Sequence, residues 1–230
     1  MTALTTLDGP RNAPASGGPA RQLVILLHGL GADGNDLIAM APLIGQILPD
    51  AAFAAPDAPE SCDMAPMGRQ WFSLRDMSPD AVLRGVRDAA PRLDAFIDEE
   101  RSRLGLDDDR VALVGFSQGT MMALHCGLRR AKSLAGIAGF SGLLAGAEAL
   151  AAEIASRPPV LLVHGEADEV VPFGAMAVAR AALEAAGVRV HAHPRPGLGH
   201  SIDQRGLGMG IGFLKSVFDP AVPGGDRPSL

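Results

Sequence analysis

Residues 111–123 read VALVGFSQGTMMA, and this stretch decides the fold. An apolar, β-branched run ends at Gly115, and a segment of helical period begins after Gly119. Ser117 therefore lies at a junction between a predicted strand and a predicted helix. A strand that is apolar along its whole length is typical of a parallel sheet covered by helices on both faces.

The same alternation continues on both sides of this junction. Further short apolar runs predict strands over 22–29, 51–56, 110–116, 134–140, 159–165 and 188–194. Segments of helical period predict helices over 36–48, 79–104, 118–130, 147–156, 173–186 and 201–217, with a kink or a break at Pro91. This order predicts an α/β fold with a mostly parallel central sheet and helices on both faces, in a single domain.

The two ends of the chain are rich in Gly, Pro and Ser. We expect residues 1–21 to be an N-terminal tail, with an edge strand at 4–7, and residues 219–230 to be a C-terminal tail. Residues 22–218 then form the folded domain.

Composition excludes several classes of function. The 230 residues carry a formal net charge of −6, without the basic stripe that nucleic acid requires. The N-terminus lacks the pattern of a signal peptide, and no run of 18 apolar residues predicts a transmembrane segment. Two distant cysteines, with no ligand partners at metal spacing, predict reduced thiols in a cytoplasmic protein that binds no metal.

Ser117 is a candidate nucleophile because GFSQG, residues 115–119, is a G-x-S-x-G sequence between a strand and a helix. The two glycines keep the turn clear of side chains, so that the serine can adopt a strained conformation with its hydroxyl exposed. The alternative is that Ser117 only caps the helix. Ser141 also follows a predicted strand, but no glycine follows two residues later, and it is the weaker candidate.

A serine nucleophile needs a base and an acid, and in this topology they follow it in the order acid, then histidine. His200 comes after the loop PRPGLG, which follows the last predicted strand. Asp168 lies in the middle of the turn GEADEVVP, between Glu166 and Glu169. We therefore predict Asp168 and His200 as the partners of Ser117; the alternatives are a turn-capping aspartate and a surface histidine.

The first predicted strand ends in HGLGADG, whose glycines let the backbone approach a ligand. We expect the amides of Leu30 and Gln118 to form an oxyanion hole. A nucleotide site is disfavoured, since the Lys-Ser/Thr of a phosphate-binding loop does not follow.

The segment 57–78 is the longest without a clear period, and it contains the only tryptophan. We expect Met64, Met67, Trp71 and Phe72 to line an acyl pocket. The alternative is that Trp71 and Phe72 only pack beneath a loop.

With HGLGADG, GFSQG, HGEADEVVP and GLGH in this order, the chain resembles the phospholipase/carboxylesterase family of α/β-hydrolases, which includes acyl-protein thioesterases and small bacterial carboxylesterases. The resemblance implies Ser117, Asp168 and His200 as the catalytic triad, with Leu30 and Gln118 as oxyanion donors. It also implies a sheet of about seven strands, a minimal cap, no cofactor, and ester, thioester or lysophospholipid substrates. Some members pair as homodimers, which leaves a homodimer open here.

We therefore expect a serine hydrolase that cleaves small-molecule esters with short to medium acyl chains. Two alternatives use the same fold: an acyltransferase that passes the acyl group to an alcohol or amine, and a ligand-binding sensor with vestigial hydrolysis.

Overall fold

Seven strands form the central sheet within residues 6–219, the part of the chain that this computed structural model describes. Two further short strands pair as a small hairpin. In chain order the strands are Arg11–Asn12 (β1), Gln22–Leu27 (β2), Ala51–Ala54 (β3), Glu60–Ser61 (β4), Arg69–Gln70 (β5), Val111–Phe116 (β6), Gly136–Phe140 (β7), Val160–Gly165 (β8) and Val190–Arg195 (β9). The sheet order is β1-β3-β2-β6-β7-β8-β9, and every neighbouring pair is parallel except β1 with β3. The predicted fold class is confirmed.

Helices connect the parallel strands. They are Gly34–Ile38 (α1), Ala41–Ile47 (α2), Pro79–Leu104 (α3), Gln118–Arg129 (α4), Leu150–Glu153 (α5), Gly174–Ala185 (α6) and Gln204–Phe218 (α7). The single helix predicted over 36–48 is two short helices, because Pro42 lies in the first turn of α2 and has no N–H to continue the hydrogen bonds of α1.

Pro91 does not divide the long helix, and the prediction of a break there was wrong. Helix α3 runs unbroken from Pro79 to Leu104. Pro91 is exposed, while Val86, Leu93 and Ile97 bury the opposite face of the helix in the core. Burial on both sides of the proline offsets the one hydrogen bond that it removes.

The N-terminal segment contributes an edge strand, β1, which pairs antiparallel with β3. Of the strand expected at 4–7, residues 4 and 5 lie outside the described residues, and residues 6 and 7 are not in a strand. All of the expected C-terminal tail except Asp219 also lies outside the described residues.

The sheet separates two apolar layers. Alternate residues of β2 face opposite sides: Leu23 and Ile25 pack in the layer beneath α3 and α4, and Val24 and Leu26 in the layer beneath α1 and α7. With both faces covered, the exposed ends of the parallel strands are where functional side chains can reach solvent. The carboxyl ends of β2, β6, β8 and β9 meet at one edge, which is the usual place for a ligand in such a sheet.

No helix between residues 6 and 219 is both long enough and apolar enough to span a bilayer.

Candidate active site

Ser117 occupies a strained turn between β6 and α4. Its backbone has φ 54° and ψ −116°, a conformation that residues with a side chain rarely adopt. The turn is held from β7, since Ser117 N–H donates to Phe140 O at 2.9 Å and the Thr120 hydroxyl donates to the same oxygen. The Ser117 side chain makes no capping hydrogen bond to α4, so capping does not account for its hydroxyl.

Gly119 is required by the close approach of α4 to β2. A Cβ at this position would lie 1.9 Å from Leu27 O, a backbone atom that cannot move without displacing the strand. A Cβ at Gly115 would in turn lie 2.4 Å from Gly119 O. The two glycines of G-x-S-x-G therefore bring the start of α4 directly over the sheet edge.

Ser141 resembles Ser117 in backbone but not in accessibility. It has φ 47° after β7 and is almost fully buried. The Ser141 hydroxyl is buried and has no hydrogen-bond partner, whereas the Ser117 hydroxyl is not buried in this way. Strain alone therefore does not separate the two serines, and access to substrate does.

Asp168 uses its two carboxylate oxygens for different purposes. Oδ1 accepts hydrogen bonds from the backbone amides of Val170 and Val171, both at 2.9 Å, and Oδ2 accepts from His200 Nδ1 at 2.8 Å. Burial alone would raise the pKa of Asp168, but the hydrogen bonds from His200, Val171 and Val170 outweigh it and hold that pKa below its ordinary value. Turn capping and histidine orientation are thus both performed by one side chain.

The loops that carry Asp168 and His200 are joined through their backbones. Glu166 N–H donates to Arg195 O, and Ala167 N–H donates to Leu198 O at 2.9 Å. The Arg195 guanidinium also binds the Asp203 carboxylate at 2.6 Å, which closes the base of the loop bearing His200. The position of the imidazole relative to the acid is therefore fixed by the two loops together.

His200 lies beside Phe116, the residue before Ser117, but it makes no hydrogen bond to Ser117 itself. The His200 ring lies 4.9 Å, centroid to centroid, from the ring of Phe116. No hydrogen bond links Ser117 Oγ to His200, although both belong to the described part of the chain. Such contacts commonly tighten only when substrate is bound.

Two backbone amides near Ser117 are free to act as oxyanion donors. Within residues 6–219, neither Leu30 N–H nor Gln118 N–H donates to a protein acceptor. The Leu30 loop lies against Ser117, because a Cβ on Gly29 would be 3.3 Å from the Cβ of Ser117. Free amides on two sides of the serine can bind a developing negative charge.

Sequence reasoning overlooked His28, which fixes this loop. His28 Nδ1 donates to Gly29 O at 2.7 Å, and Nε2 accepts from Ala58 N–H at 3.0 Å. Burial lowers the pKa of His28, in agreement with the neutral ring that an accepting Nε2 requires. The signal available in the sequence was a histidine that ends a strand directly before a glycine, and His164 shares it.

The Gln118 side chain was also overlooked. It is fully buried, its Oε1 accepts from Trp71 N–H and its Nε2 donates to Phe72 O, both at 2.8 Å. The Trp71 indole N–H donates to His28 O at 3.0 Å. One residue thus supplies a free backbone amide to the site and holds the adjacent segment with its side chain.

The four residues expected to line an acyl pocket divide into two groups. Trp71 and Phe72 are buried and border a cavity of about 440 Å³ next to α3. Met64 and Met67 lie in the hairpin loop between β4 and β5, with 56% and 80% of their surface exposed. The structure therefore does not bring these two methionines together with the aromatic pair.

A cavity of about 660 Å³ lies at the opposite edge of the sheet, where β2 and β6 begin. Ser117, Asp168 and His200 do not line this cavity. Among residues 6–219, no cluster of three or more His, Cys, Asp or Glu side chains is arranged to hold a metal ion.

Comparison with known proteins identifies relatives along nearly the whole chain. The model of the phospholipase/carboxylesterase family matches residues 13–218. The chain is 30% identical to the esterase YpfH of Escherichia coli strain K12 over 213 residues, which cover 90% of each protein. It is 44% identical to the crystal structure of esterase PE8, with a TM-score of 0.89 over 93% of this chain and 100% of that one. Carboxylesterase SOBER1 of Arabidopsis thaliana is 30% identical to the chain, with a TM-score of 0.72 over 86% of this chain and 99% of that one.

Proposed function

This chain belongs to the phospholipase/carboxylesterase family, and from that membership we propose that it is a serine hydrolase that cleaves carboxylic esters through an acyl-enzyme on Ser117. The observation that carries the proposal is the hydrogen bond between His200 Nδ1 and Asp168 Oδ2, at the sheet edge where Ser117 is strained. That bond leaves His200 Nε2 as the nitrogen able to accept a proton.

The reaction proceeds in two halves. His200 Nε2 takes the proton of the Ser117 hydroxyl as Oγ attacks the ester carbonyl, and the amides of Leu30 and Gln118 hold the oxyanion. The C–O bond to the alcohol breaks, and the alcohol leaves with the proton from His200. A water then gives its proton to His200 and attacks the acyl carbon, which releases the acid and returns the proton to Ser117.

We propose small-molecule esters with short to medium acyl chains as substrates, with thioesters and lysophospholipids as further members of the class. The relatives are named as esterases and carboxylesterases, and one partial match is an acyl-protein thioesterase of Schizosaccharomyces pombe. The only regular structure within residues 57–77 is the short β4–β5 hairpin, whose Arg69 pairs through its backbone with Gly31 and Ala32 in the loop after β2. We propose that this leaves an open groove for linear acyl groups.

We also propose a cytoplasmic location. The support is that Cys62 and Cys126 are both free and buried, as is usual for proteins in a reducing compartment.

Hydrolysis of p-nitrophenyl esters from acetate to palmitate by the wild type and by Ser117→Ala tests the proposal. We expect kcat/KM to be highest at short or medium chains and to fall by at least about 10³-fold in Ser117→Ala. Ser141→Ala is the matched control and should keep its activity within about 3-fold. Retention of hydrolysis by folded Ser117→Ala would overturn the proposal, and an optimum at palmitate would overturn the chain-length part of it.

A further inference from the structure

The imidazole of His164 is a second ring, besides that of His200, in contact with the Asp168 carboxylate. His164 is the penultimate residue of β8, and its side chain is 2% exposed. Its Nε2 lies 2.9 Å from Val171 O and 3.3 Å from Asp168 Oδ2. No step of ester hydrolysis described above uses this ring.

The tautomer of His164 follows from its partner. A carbonyl oxygen can only accept a hydrogen bond, so Nε2 carries the proton that it donates to Val171 O. Asp168 Oδ2 lies 3.3 Å from the same nitrogen, but this contact is not a hydrogen bond, because the Nε2 proton is directed at Val171 O. The carboxylate is thus held by two backbone amides at Oδ1 and by His200 at Oδ2, with the buried His164 ring in contact with it.

His164 also holds the turn that supplies the backbone donors. Val171 N–H donates to Asp168 Oδ1 while Val171 O accepts from His164, so the peptide groups on both sides of Val171 are fixed. The ring itself has little freedom. It packs edge-on against Phe173 at 6.1 Å, and its backbone is paired opposite Pro194 of β9.

From this geometry we propose that His164 is a positioning residue for the reaction: through its hydrogen bond to Val171 O it fixes the turn whose amides hold the Asp168 carboxylate, and hence the aim of His200. The inference rests on the proposed function, since it assigns a role within that triad. Loss of the donor leaves Val171 O unpaired and lets the turn shift, and a displacement of about 1 Å in a catalytic group is enough to cost about 10²-fold in rate.

Four variants assayed with p-nitrophenyl acetate separate this role from a merely structural one. His164→Leu removes the donor and should lower kcat by at least about 10-fold, with KM within about 2-fold. His164→Gln places an amide N–H near the position of Nε2 and should stay within about 3-fold of wild type. His164→Asn has a polar side chain that is too short to reach Val171 O, so its kcat should resemble that of His164→Leu. If the leucine variant does not fold, the asparagine variant takes its place in the comparison with His164→Gln. His125→Leu removes another buried imidazole, remote from the triad, and should leave kcat unchanged.

The decisive comparison repeats His164→Leu, and His164→Asn beside it, in the Asp168→Asn background. If His164 acts through Asp168, the further loss there is less than about 2-fold, because residues that act as a unit are not additive. An equal loss in both backgrounds would overturn the proposal, as would a glutamine variant no better than asparagine. Ser117→Ala, run alongside, distinguishes the failures: activity that survives it refutes the proposed function itself, whereas activity that it abolishes leaves only the role of His164 in question.

Discussion

Two buried histidines, His28 and His125, have lowered pKa values in the folded protein, and they make its stability depend on pH. Burial, followed by the nearby charge of Arg129, lowers the pKa of His125 to about 4. Burial also lowers the pKa of His28. In the unfolded chain both rings have a pKa of about 6.5, so below that pH the unfolded chain binds more protons than the folded one; for His125 this window extends down to about pH 4. The free energy of unfolding is therefore highest above pH 6.5 and falls as the pH is lowered through this window.

His125→Gln tests this dependence, because glutamine does not titrate. Arg87 and Glu153 also face the ring and remain unchanged in the variant. Between pH 6.5 and 4.5 we expect the wild type to lose up to about 1.4 kcal/mol per pH unit more than His125→Gln, measured by urea unfolding. If the two proteins lose the same stability over this pH range, His125 binds its proton as readily in the folded protein as in the unfolded chain, and its pKa is not lowered.

At the same scale, the order of residues was sufficient to select the candidate site residues but not the contacts that hold them. Ser117, Asp168 and His200 could be selected because each is a reactive residue type in a turn after a predicted strand. The second partner of Asp168 could not be selected. The contact of His164 with Asp168 spans the turn between them and depends on how that turn folds back, which no local pattern encodes.

Between elements, the Gln118 side chain joins the start of α4 to the segment at Trp71 and Phe72. Gln118→Met keeps the backbone amide but leaves Trp71 N–H and Phe72 O buried without partners. Each such group costs about 1–3 kcal/mol, so we expect the two together to lower stability by about 2–6 kcal/mol, with a fall of about 10-fold in kcat/KM.

Gln70→Met is the matched control, since this buried glutamine bonds only within its own hairpin, to Asp63 N–H and Glu60. We expect it to lower stability with less than about 3-fold effect on kcat/KM. Thermal unfolding measures the change in stability, and ester kinetics measure the change in kcat/KM. Equal effects of the two substitutions on kcat/KM would contradict a specific role for the Gln118 side chain.

The ends of elements show where local patterns lose their predictive value. The six parallel strands agree with prediction to within two residues, because an apolar run and its flanking turn are both local signals, whereas the two-residue strands β1, β4 and β5 were not predicted. Two prolines had opposite outcomes. Pro42 begins a new helix, whereas Pro91 is accommodated within α3 because core packing on both sides of it holds the helix together. Packing against the sheet decides such cases, and it is not visible in a local window.

On the scale of the whole molecule, the parallel sheet concentrates the reactive groups at one edge. Strands β2, β6, β8 and β9 all end there, so residues more than 80 positions apart in the chain, such as Ser117 and His200, converge. The larger cavity lies at the other edge and contains none of them. The alternation of strands and helices was sufficient to predict this arrangement, whereas the division of the pocket residues into a buried aromatic pair and exposed methionines was not.

The central claim is that Ser117 is the residue that becomes acylated, and a fluorophosphonate probe followed by peptide mass mapping tests it most directly. The account predicts one adduct per chain, located on Ser117, absent from Ser117→Ala and formed at least about 10²-fold more slowly in His200→Ala. Labelling of Ser141, or of the folded wild type at no serine at all, would contradict it.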